Sequence, residues 1–464
     1  MAPKKRPAGV SAKRPAAKVA KKPAASKEPA AVVVVDPYSS GRFYLYELKK
    51  RGFPIICVRS ALDVGGYFKA VYDAHMEYFT EKIDFPDYKD LPELLDALAK
   101  LPYTVKAVIA GSDAGVELAD QLSEALKMPT ANGTELLLER IDKAAMQDRL
   151  RKCGVPATEQ TSTGDLQELL AWSKAWGKWP VVAKPSGGVG SEGIYFCKSE
   201  DDIKKAHSMI VGVKNPKGVV NSSVALQEFL KGEEYIVDCI SNNGKHICVA
   251  IWYQGKRRDL PWSPTSIITT YNTLMAPTGE IQDKLVEYTF KVLDAVGFKH
   301  GPSHNEMMVT DRGPILIEVN ARMHGVQGPR VIELSTGTNK ADYACDVFVG
   351  GCKKFNKLYV PPPKTRWLYP VKKHCMQLVL CSPVSGYYTE ALKDSIGAMN
   401  LPSVVEVLTR HKVGDFQPQS IDLPTSPGTV LMVHESEEQL QADMQKIRDA
   451  ENTTGGIYKL KAEQ

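Results

Sequence analysis

The 464-residue sequence has no Cys-x-x-Cys, no paired cysteine and histidine spacing, and an odd number of cysteines, nine, scattered from Cys57 to Cys381. These absences speak against structural zinc and against a disulfide framework, so a reduced, cytoplasmic protein is expected, with a nuclear location as the alternative. There is also no apolar run long enough to span a bilayer and no signal-type apolar segment near Met1, so no membrane role is expected. A charge excess is missing from the body of the chain. The formal net charge is +5, but residues 1–30 hold nine Lys or Arg against Glu28, which leaves −3 for the remainder. A slightly acidic body offers no platform for nucleic acid, and only the basic tail could serve such a partner.

What is present is the composition of a globular protein of two or three domains. Residues 1–31 are an Ala/Pro/Lys tail that cannot bury enough surface to offset its ordering entropy, and they read as disordered. Ala31 to Val35 is a β-branched run, Phe43, Leu45, Tyr46 and Leu48 follow at helical spacing, and Pro54 to Val58 is a second strand. With a strand over Val105 to Ala110 and a helix over Gly115 to Leu126, residues 32–135 form a small doubly wound, Rossmann-like α/β unit. It has only Gly41 where a dinucleotide fingerprint needs three glycines, which argues against a nicotinamide site.

The pattern from Glu135 to Cys153 is one helix ending at Gly154-Val155-Pro156, with Lys143 inside it. Val181 to Pro185 is an apolar strand containing Lys184, followed by a glycine loop and a second strand, Ile194 to Cys197. Gly188, Gly190 and Gly193 match G-x-G-x-x-G, yet that fingerprint must open a helix and here a strand follows. Strand, glycine loop, strand is instead a hairpin whose backbone N–H groups can close over phosphates, with Lys184 at its base as a point charge. Leu226 to Ile251 reads as an antiparallel meander turning at Gly232 and at Asn242-Asn243-Gly244.

Ile315, Ile317 and Val319 alternate with residues that place Glu318 and Asn320 together on the other face of a strand. The turn Asp311-Arg312-Gly313 folds it back on His300 to Val309 and brings Glu306 beside them. Two carboxylates and an amide sharing one face suit Mg²⁺ or Mn²⁺, because neighbouring carboxylates are strained unless a cation sits between them. Arg322, four residues past Glu318, adds a fixed cation. Pro361-Pro362-Pro363 marks a linker, and strands over Met376 to Cys381 and Val430 to Val433 lie beyond it.

Together, Asp142-Lys143-x-x-Met146, Val182-Ala183-Lys184-Pro185 with its glycine loop, Gln227-Glu228-Phe229-Leu230-x-Gly232-Glu233-Glu234, Gly301-Pro302-x-His304-x-Glu306 and Glu318-Val319-Asn320-Ala321-Arg322 resemble the ATP-grasp ligases, and among them the L-amino-acid (dipeptide) ligase branch with carnosine-synthase-like enzymes. The resemblance spans residues 32–351. It implies an α/β (α+β) ATP-grasp fold: a pre-ATP-grasp domain over 32–135, an ATP-grasp domain over 136–351 divided into 136–223 and 224–351, and a small C-terminal α/β lid domain over 355–464. By the same resemblance Lys143 and Lys184 contact ATP phosphates, and a flap containing Gly187, Gly188, Gly190 and Ser191 covers them. Gln227 with the backbone of Glu228 and Leu230 holds adenine, and Glu234 the ribose. Glu306, Glu318 and Asn320 hold two Mg²⁺, with Mn²⁺ as a substitute, while Arg322, with Lys184, stabilises the phosphoryl group in flight. His324, Arg330 and Arg258 are the candidates for substrate binding.

The implied reaction joins a small carboxylate to an amine, amino acids in this branch, through an acyl phosphate. Two alternatives stay open, a biotin-carboxylase-like or purine-pathway ATP-grasp enzyme and a nucleic-acid or chromatin partner acting through the basic tail. A homodimer is also open.

Overall fold

The structure, a computed structural model, describes residues 28–86, 90–185, 193–214, 220–257, 268–325, 327–361, 369–453 and 455–462. The basic tail up to residue 27 lies outside the described residues. Among the described residues no helix is long and apolar enough to cross a membrane.

The chain opens with a parallel sheet of β1 (Ala30–Val35), β2 (Ile55–Arg59), β3 (Glu81–Asp84) and β4 (Thr104–Ala110) in the order β3-β2-β1-β4. The valine run of β1 is apolar at every position because both faces are covered. Val32 and Val34 pack on α1 (Arg42–Lys50), while Val33 and Val35 meet α3 (Leu91–Ala99) and α4 (Val116–Ala125). β3 and α2 (Gly66–Asp73) escape the sequence pattern, since β3 alternates exposed and half-buried residues and α2 has little buried surface, whereas α3 carries Leu91, Leu94, Leu95 and Leu98 at helical spacing.

The single helix expected over Glu135 to Cys153 is instead two, α5 (Leu137–Ile141) and α6 (Lys143–Lys152). Asp142 breaks it: its backbone is extended, and its Oδ1 accepts from Ala144 N at 2.9 Å and Ala145 N at 2.8 Å, an N-cap. Lys143 is therefore the first residue of a helix and not an interior one.

A second, antiparallel sheet contains β5 (Gln160–Thr163), β6 (Val181–Pro185), β7 (Tyr195–Cys197) and β8 (Val224–Glu228) in the order β5-β8-β6-β7, with α7 (Leu166–Trp176) and α8 (Glu200–Ile210) against it. The hairpin reading of β6 and β7 agrees with this register. The glycine loop itself, residues 186–192, lies outside the described residues, and with it Gly187, Gly188, Gly190 and Ser191.

The expected meander does not begin at Leu226. β8 belongs to the second sheet, and Phe229 to Gly232 cross to β9 (Glu233–Asn242) in the large sheet. Gly232 makes the crossing because a Cβ there would sit 1.9 Å from the Val309 carbonyl oxygen. The large sheet continues with β10 (Lys245–Arg257), β11 (Ile268–Leu274), β12 (Gly301–Thr310) and β13 (Gly313–Asn320), with α9 (Glu280–Ala295) across its face. After β13 come α10 (Gly328–Thr336), α11 (Lys340–Val349) and α12 (Lys353–Leu358); α11 shares a core with α1 and joins the first sheet to the large one.

β14 (His374–Val379) then returns to the large sheet. β15 (Gly386–Tyr388), α13 (Leu392–Gly397), β16 (Val404–Thr409), β17 (Phe416–Gln417), β18 (Gly428–His434), α14 (Glu437–Glu451) and β19 (Leu460–Lys461) complete the chain. Eight strands pair antiparallel in the order β13-β12-β9-β10-β11-β14-β18-β16, so the strands after residue 374 are hydrogen-bonded into the sheet that carries the acidic strand. β15, β17 and β19 form a small sheet beside α14.

Candidate active site

The acidic strand β13 is the edge of the eight-stranded sheet, and an uncovered edge would leave its peptide groups without partners. Side chains cover it. Leu316 N donates to Tyr288 Oη at 2.7 Å, Leu316 O accepts from Gln147 Nε2 at 2.9 Å, and Val319 N donates to Met146 Sδ at 3.2 Å. Lys143, Met146 and Gln147 are spaced to share one helical face, so α6 lays three side chains along β13 and delivers the lysine to its carboxylate. The alternation expected for Ile315, Ile317 and Val319 is shifted: opposite Glu306 and Met307 the pairing jumps from Glu318 to Leu316, a bulge at Ile317. Leu316 and Val319 consequently share the core, and Ile317 is half-buried.

Glu306 on β12 is the direct cross-strand partner of Glu318 on β13, and His304 that of Asn320. The acidic pair expected from the sequence therefore forms. Lys143 Nζ lies 2.8 Å from Glu318 Oε2, and Asn320 Nδ2 donates to Glu318 Oε1 at 3.1 Å. Burial pushes the Glu318 carboxyl up, but Lys143 and Asn320 outweigh it and hold it at about 2. Burial likewise pulls Lys143 down, and Glu318 more than offsets this, so Lys143 sits above its ordinary value. Hard oxygen donors in facing pairs with an amide beside them are a donor set that fits Mg²⁺.

Arg322 Nε donates to Asp113 Oδ1 at 2.8 Å, and its Nη1 to Met323 O at 2.8 Å. Asp113 follows β4 in the first sheet, so the arginine is gripped from a different part of the chain. Burial lowers Arg322, Asp113 outweighs that, and Glu318 and Glu306 act in the same direction. Sequence reasoning missed Asp113. Its signal was Gly111-Ser112-Asp113 at the carboxyl end of a parallel strand next to β1, where sheet order reverses and ligands bind in doubly wound folds. Glycines let the two loops meet there: a Cβ on Gly41 would lie 2.5 Å from Gly111 O.

His324 is committed to the interior, its ring centroid 4.3 Å from that of His304. Asp238 on β9, fully buried, accepts from His304 Nδ1 at 3.0 Å and Lys340 Nζ at 2.8 Å on Oδ1, and from Trp252 Nε1 at 2.9 Å and His324 Nδ1 at 3.3 Å on Oδ2. Asp238, His304 and His324 offer ligand atoms all within 4.8 Å of one another, but the Lys340 ammonium already serves as the cation of this cluster. Burial raises Asp238, and Lys340 with the two histidines drives it well below the usual carboxylate range. Burial and neighbouring His304 push His324 down to about 4. His304 goes the other way: burial lowers it, but hydrogen bonds to Asp238 and Glu306 leave it above its ordinary value.

On the nucleotide side, Lys184 is 7% exposed, and burial together with Lys143 depresses its ammonium to about 8. Glu306 and Glu318 act on it in the opposite direction, which places it in the same field as the acidic pair. Gln227 Nε2 donates to Gln160 Oε1 at 2.6 Å. Glu228 donates its N–H to Glu159 O at 2.9 Å, and its carboxylate accepts from Arg312 Nη2 at 2.5 Å. Leu230 is half-buried in the crossing between the sheets. Glu234 is buried on β9 and meets Lys256 Nζ at 2.7 Å, whereas Glu233 beside it is exposed. Lys256 and Arg257 end β10, and Arg258 is outside the described residues. Arg330, on α10, is bonded to Glu333 at 3.4 Å with a side chain 42% exposed, and is not drawn into the acidic cluster.

A family model described as an ATP-grasp domain matches residues 177–329, which covers β6, the crossing at Gly232, and the whole Glu306 and Glu318 hairpin. The chain has the ATP-grasp fold, with an ATP-grasp domain matched over residues 177–329. Over 424 residues it is 27% identical to dapdiamide A synthase of Enterobacter agglomerans, covering 90% of this chain and 95% of that one. The L-amino acid ligase of Bacillus licheniformis superposes with a TM-score of 0.67 at 16% identity, over 92% of this chain and 98% of the other. An N5-carboxyaminoimidazole synthase of Aspergillus clavatus, solved with ADP, gives 0.64 at 15% identity over 91% and 98%. At such identities the two solved structures speak for the ATP-grasp fold alone.

Proposed function

We infer that this ATP-grasp protein is an ATP-dependent carboxylate–amine ligase, in which a substrate carboxylate takes the γ-phosphoryl group of ATP and an amine then displaces phosphate from the acyl phosphate. The observation that carries the reading is that Glu306 and Glu318 face each other across one hairpin while Lys143, Lys184 and Arg322 bear on the same pair. Phosphoryl transfer is mostly positioning and charge neutralisation, and cations arranged around a pair of acidic ligands supply both. Mg²⁺, two ions in this reading with Mn²⁺ as a substitute, would be held by Glu306, Glu318 and Asn320 and would neutralise phosphate charge. Lys143 and Lys184 bind the phosphates, Gln227 with the backbone of Glu228 and Leu230 seats adenine, and Glu234 takes the ribose. Arg322, oriented by Asp113, faces the transferring phosphoryl group. Arg330 is assigned to the substrate carboxylate, and His324 to the Asp238 cluster.

Substrates of amino-acid type are favoured over bicarbonate or a phosphoribosyl amine, because a relative that matches over 90% of this chain is a dapdiamide A synthase. We divide the chain at 32–135, 136–351 and 355–464, with the reaction cleft between the first sheet, the second sheet and the β12–β13 hairpin. All nine cysteines are free, which accords with a reducing, cytoplasmic setting. The test is to incubate the protein with ATP, Mg²⁺, hydroxylamine and a panel of amino acids. The expected result is a hydroxamate with one acid and matching ADP release, abolished by Glu318→Ala. ADP release without a hydroxamate from any carboxylate would refute the ligase reading.

A further inference from the structure

The acidic pair is held asymmetrically. Glu318 is gripped by Lys143 and Asn320, both of which belong to the motifs already described. Glu306 is gripped by His304 Nε2 at 3.1 Å, and the other nitrogen of that ring bonds Asp238 at 3.0 Å. Register explains the arrangement: His304 is the cross-strand partner of Asp238 on one side and of Asn320 on the other, and Glu306 is two residues along from it. All four side chains therefore stand on one face of the sheet.

Asp238 is immobilised from three further directions, by Trp252 of β10, by Lys340 at the start of α11 and by His324 after β13. The Lys340 ammonium also donates to Ser303 O at 2.6 Å, which ties the helix to β12 beside His304. A carboxylate at 0% exposure with four donors on its two oxygens cannot turn without breaking several bonds at once. The imidazole between two acceptors has its plane fixed by both.

We propose that Asp238 and His304 are positioning residues for the reaction, a buried relay that sets the orientation of Glu306 toward its cation. The proposal rests on Glu306 being a metal ligand. It assigns a function to a cluster that would otherwise be a core ion pair, and it explains why so costly a group lies behind the acidic hairpin. Outer-shell partners of this kind alter metal affinity by about 10- to 100-fold when removed.

The experiment uses the full chain and Mn²⁺ as probe, with free Mn²⁺ read by electron paramagnetic resonance in the presence of ADP, and ADP affinity in chelator read by calorimetry. His304→Asn keeps reach to Asp238 but not to Glu306, whereas the longer His304→Gln can extend an amide toward Glu306. The expected result is at least about tenfold weaker Mn²⁺ binding for His304→Asn, substantial recovery for His304→Gln, and unchanged metal-free ADP affinity in both. Equal Mn²⁺ affinities in wild type and His304→Asn, equal losses in the two variants, or a parallel fall in metal-free ADP affinity would overturn the relay. Should a histidine variant fail to fold, the isosteric Asp238→Asn is measured in the same way, with the same expected loss of Mn²⁺ affinity and the same contrary result. Glu306→Gln separates this proposal from the reading beneath it. If that variant keeps full Mn²⁺ affinity, the metal assignment fails; if it loses affinity while His304→Asn does not, only the relay fails.

Discussion

Arg322 donates from Nε to Asp113 Oδ1 at 2.8 Å, so the arginine beside the acidic hairpin is oriented by a residue from the first sheet. The Arg322 side chain is 12% exposed and that of Asp113 33%. The first sheet thereby holds the arginine after the acidic strand, as well as packing on the large sheet through α1 and α11.

Replacing Asp113 by Asn keeps the shape of the contact and removes its charge. Turnover is expected to fall about tenfold with nucleotide affinity unchanged, since one charge-assisted hydrogen bond is weakened. Arg322→Lys is expected to cost about 10²-fold in kcat, because a lysine has no planar fork to keep Asp113 while facing a phosphoryl group. Steady-state rates with ADP titrations check both. A loss of ADP affinity in step with kcat would make Arg322 a nucleotide anchor.

Lys143 stands 2.8 Å from Glu318, which faces Glu306 across the hairpin. Lys143→Met leaves that carboxylate without its cation in a mostly buried setting, and about 3 kcal/mol of stability should be lost in chelator. Excess Mg²⁺ should return part of the loss, so the stabilisation by Mg²⁺ is expected to be larger in the variant than in wild type. Urea unfolding with and without Mg²⁺ measures this, and an equal response in the two proteins would mean the pair takes no cation.

Lys184 carries a pH signature. Burial and Lys143 bring it from 10.5 to about 8, so between those values the unfolded chain holds a proton that the folded chain has released. Stability contributed by this site therefore rises as pH climbs from about 8 toward 10.5, and below about 8 the charged lysine is a cost. Lys184→Met should be more stable than wild type at neutral pH, with the advantage shrinking as pH increases through this window. Phosphate binding runs the opposite way: ADP affinity should weaken above pH 8 in wild type and stay flat in Lys184→Met. Thermal melts and ADP titrations across the window provide the comparison.

The acidic hairpin was legible because it is local: Glu306, the Asp311-Arg312-Gly313 turn, Glu318 and Asn320 lie within fifteen residues, and period-two spacing places them on one face. The valine run of β1 was legible for the same reason. Asp113 and Asp238 were not, since each meets its partner across a large separation in sequence, Asp113 with Arg322 and Asp238 with His324 and Lys340. The place of His324 just after the acidic strand points to substrate in the sequence, but its ring turns inward to Asp238. The bulge at Ile317 and the crossing at Gly232 depend on neighbours, Met307 in one case and the Val309 carbonyl in the other. Period alone cannot register such shifts.

Asp142 shows how a cap bears on the chemistry. Its carboxylate satisfies Ala144 N and Ala145 N at the start of α6, and the residue after it is Lys143, a cation at the positive end of a helix. That placement is unfavourable by itself and is offset by Glu318 at 2.8 Å. Asp142→Ala should cost about 1 kcal/mol, and Asp142→Asn much less, as for other N-caps. The loss should also reach the acidic strand in one place more than another. Val319 N is held by Met146 Sδ of α6 itself, whereas Leu316 N is held by Tyr288 of α9. Amide hydrogen exchange is therefore expected to quicken at Val319 in Asp142→Ala and to stay near the wild-type rate at Leu316. Equal acceleration at both amides would show that uncapping unfolds the whole edge and that α6 does not hold the acidic strand on its own.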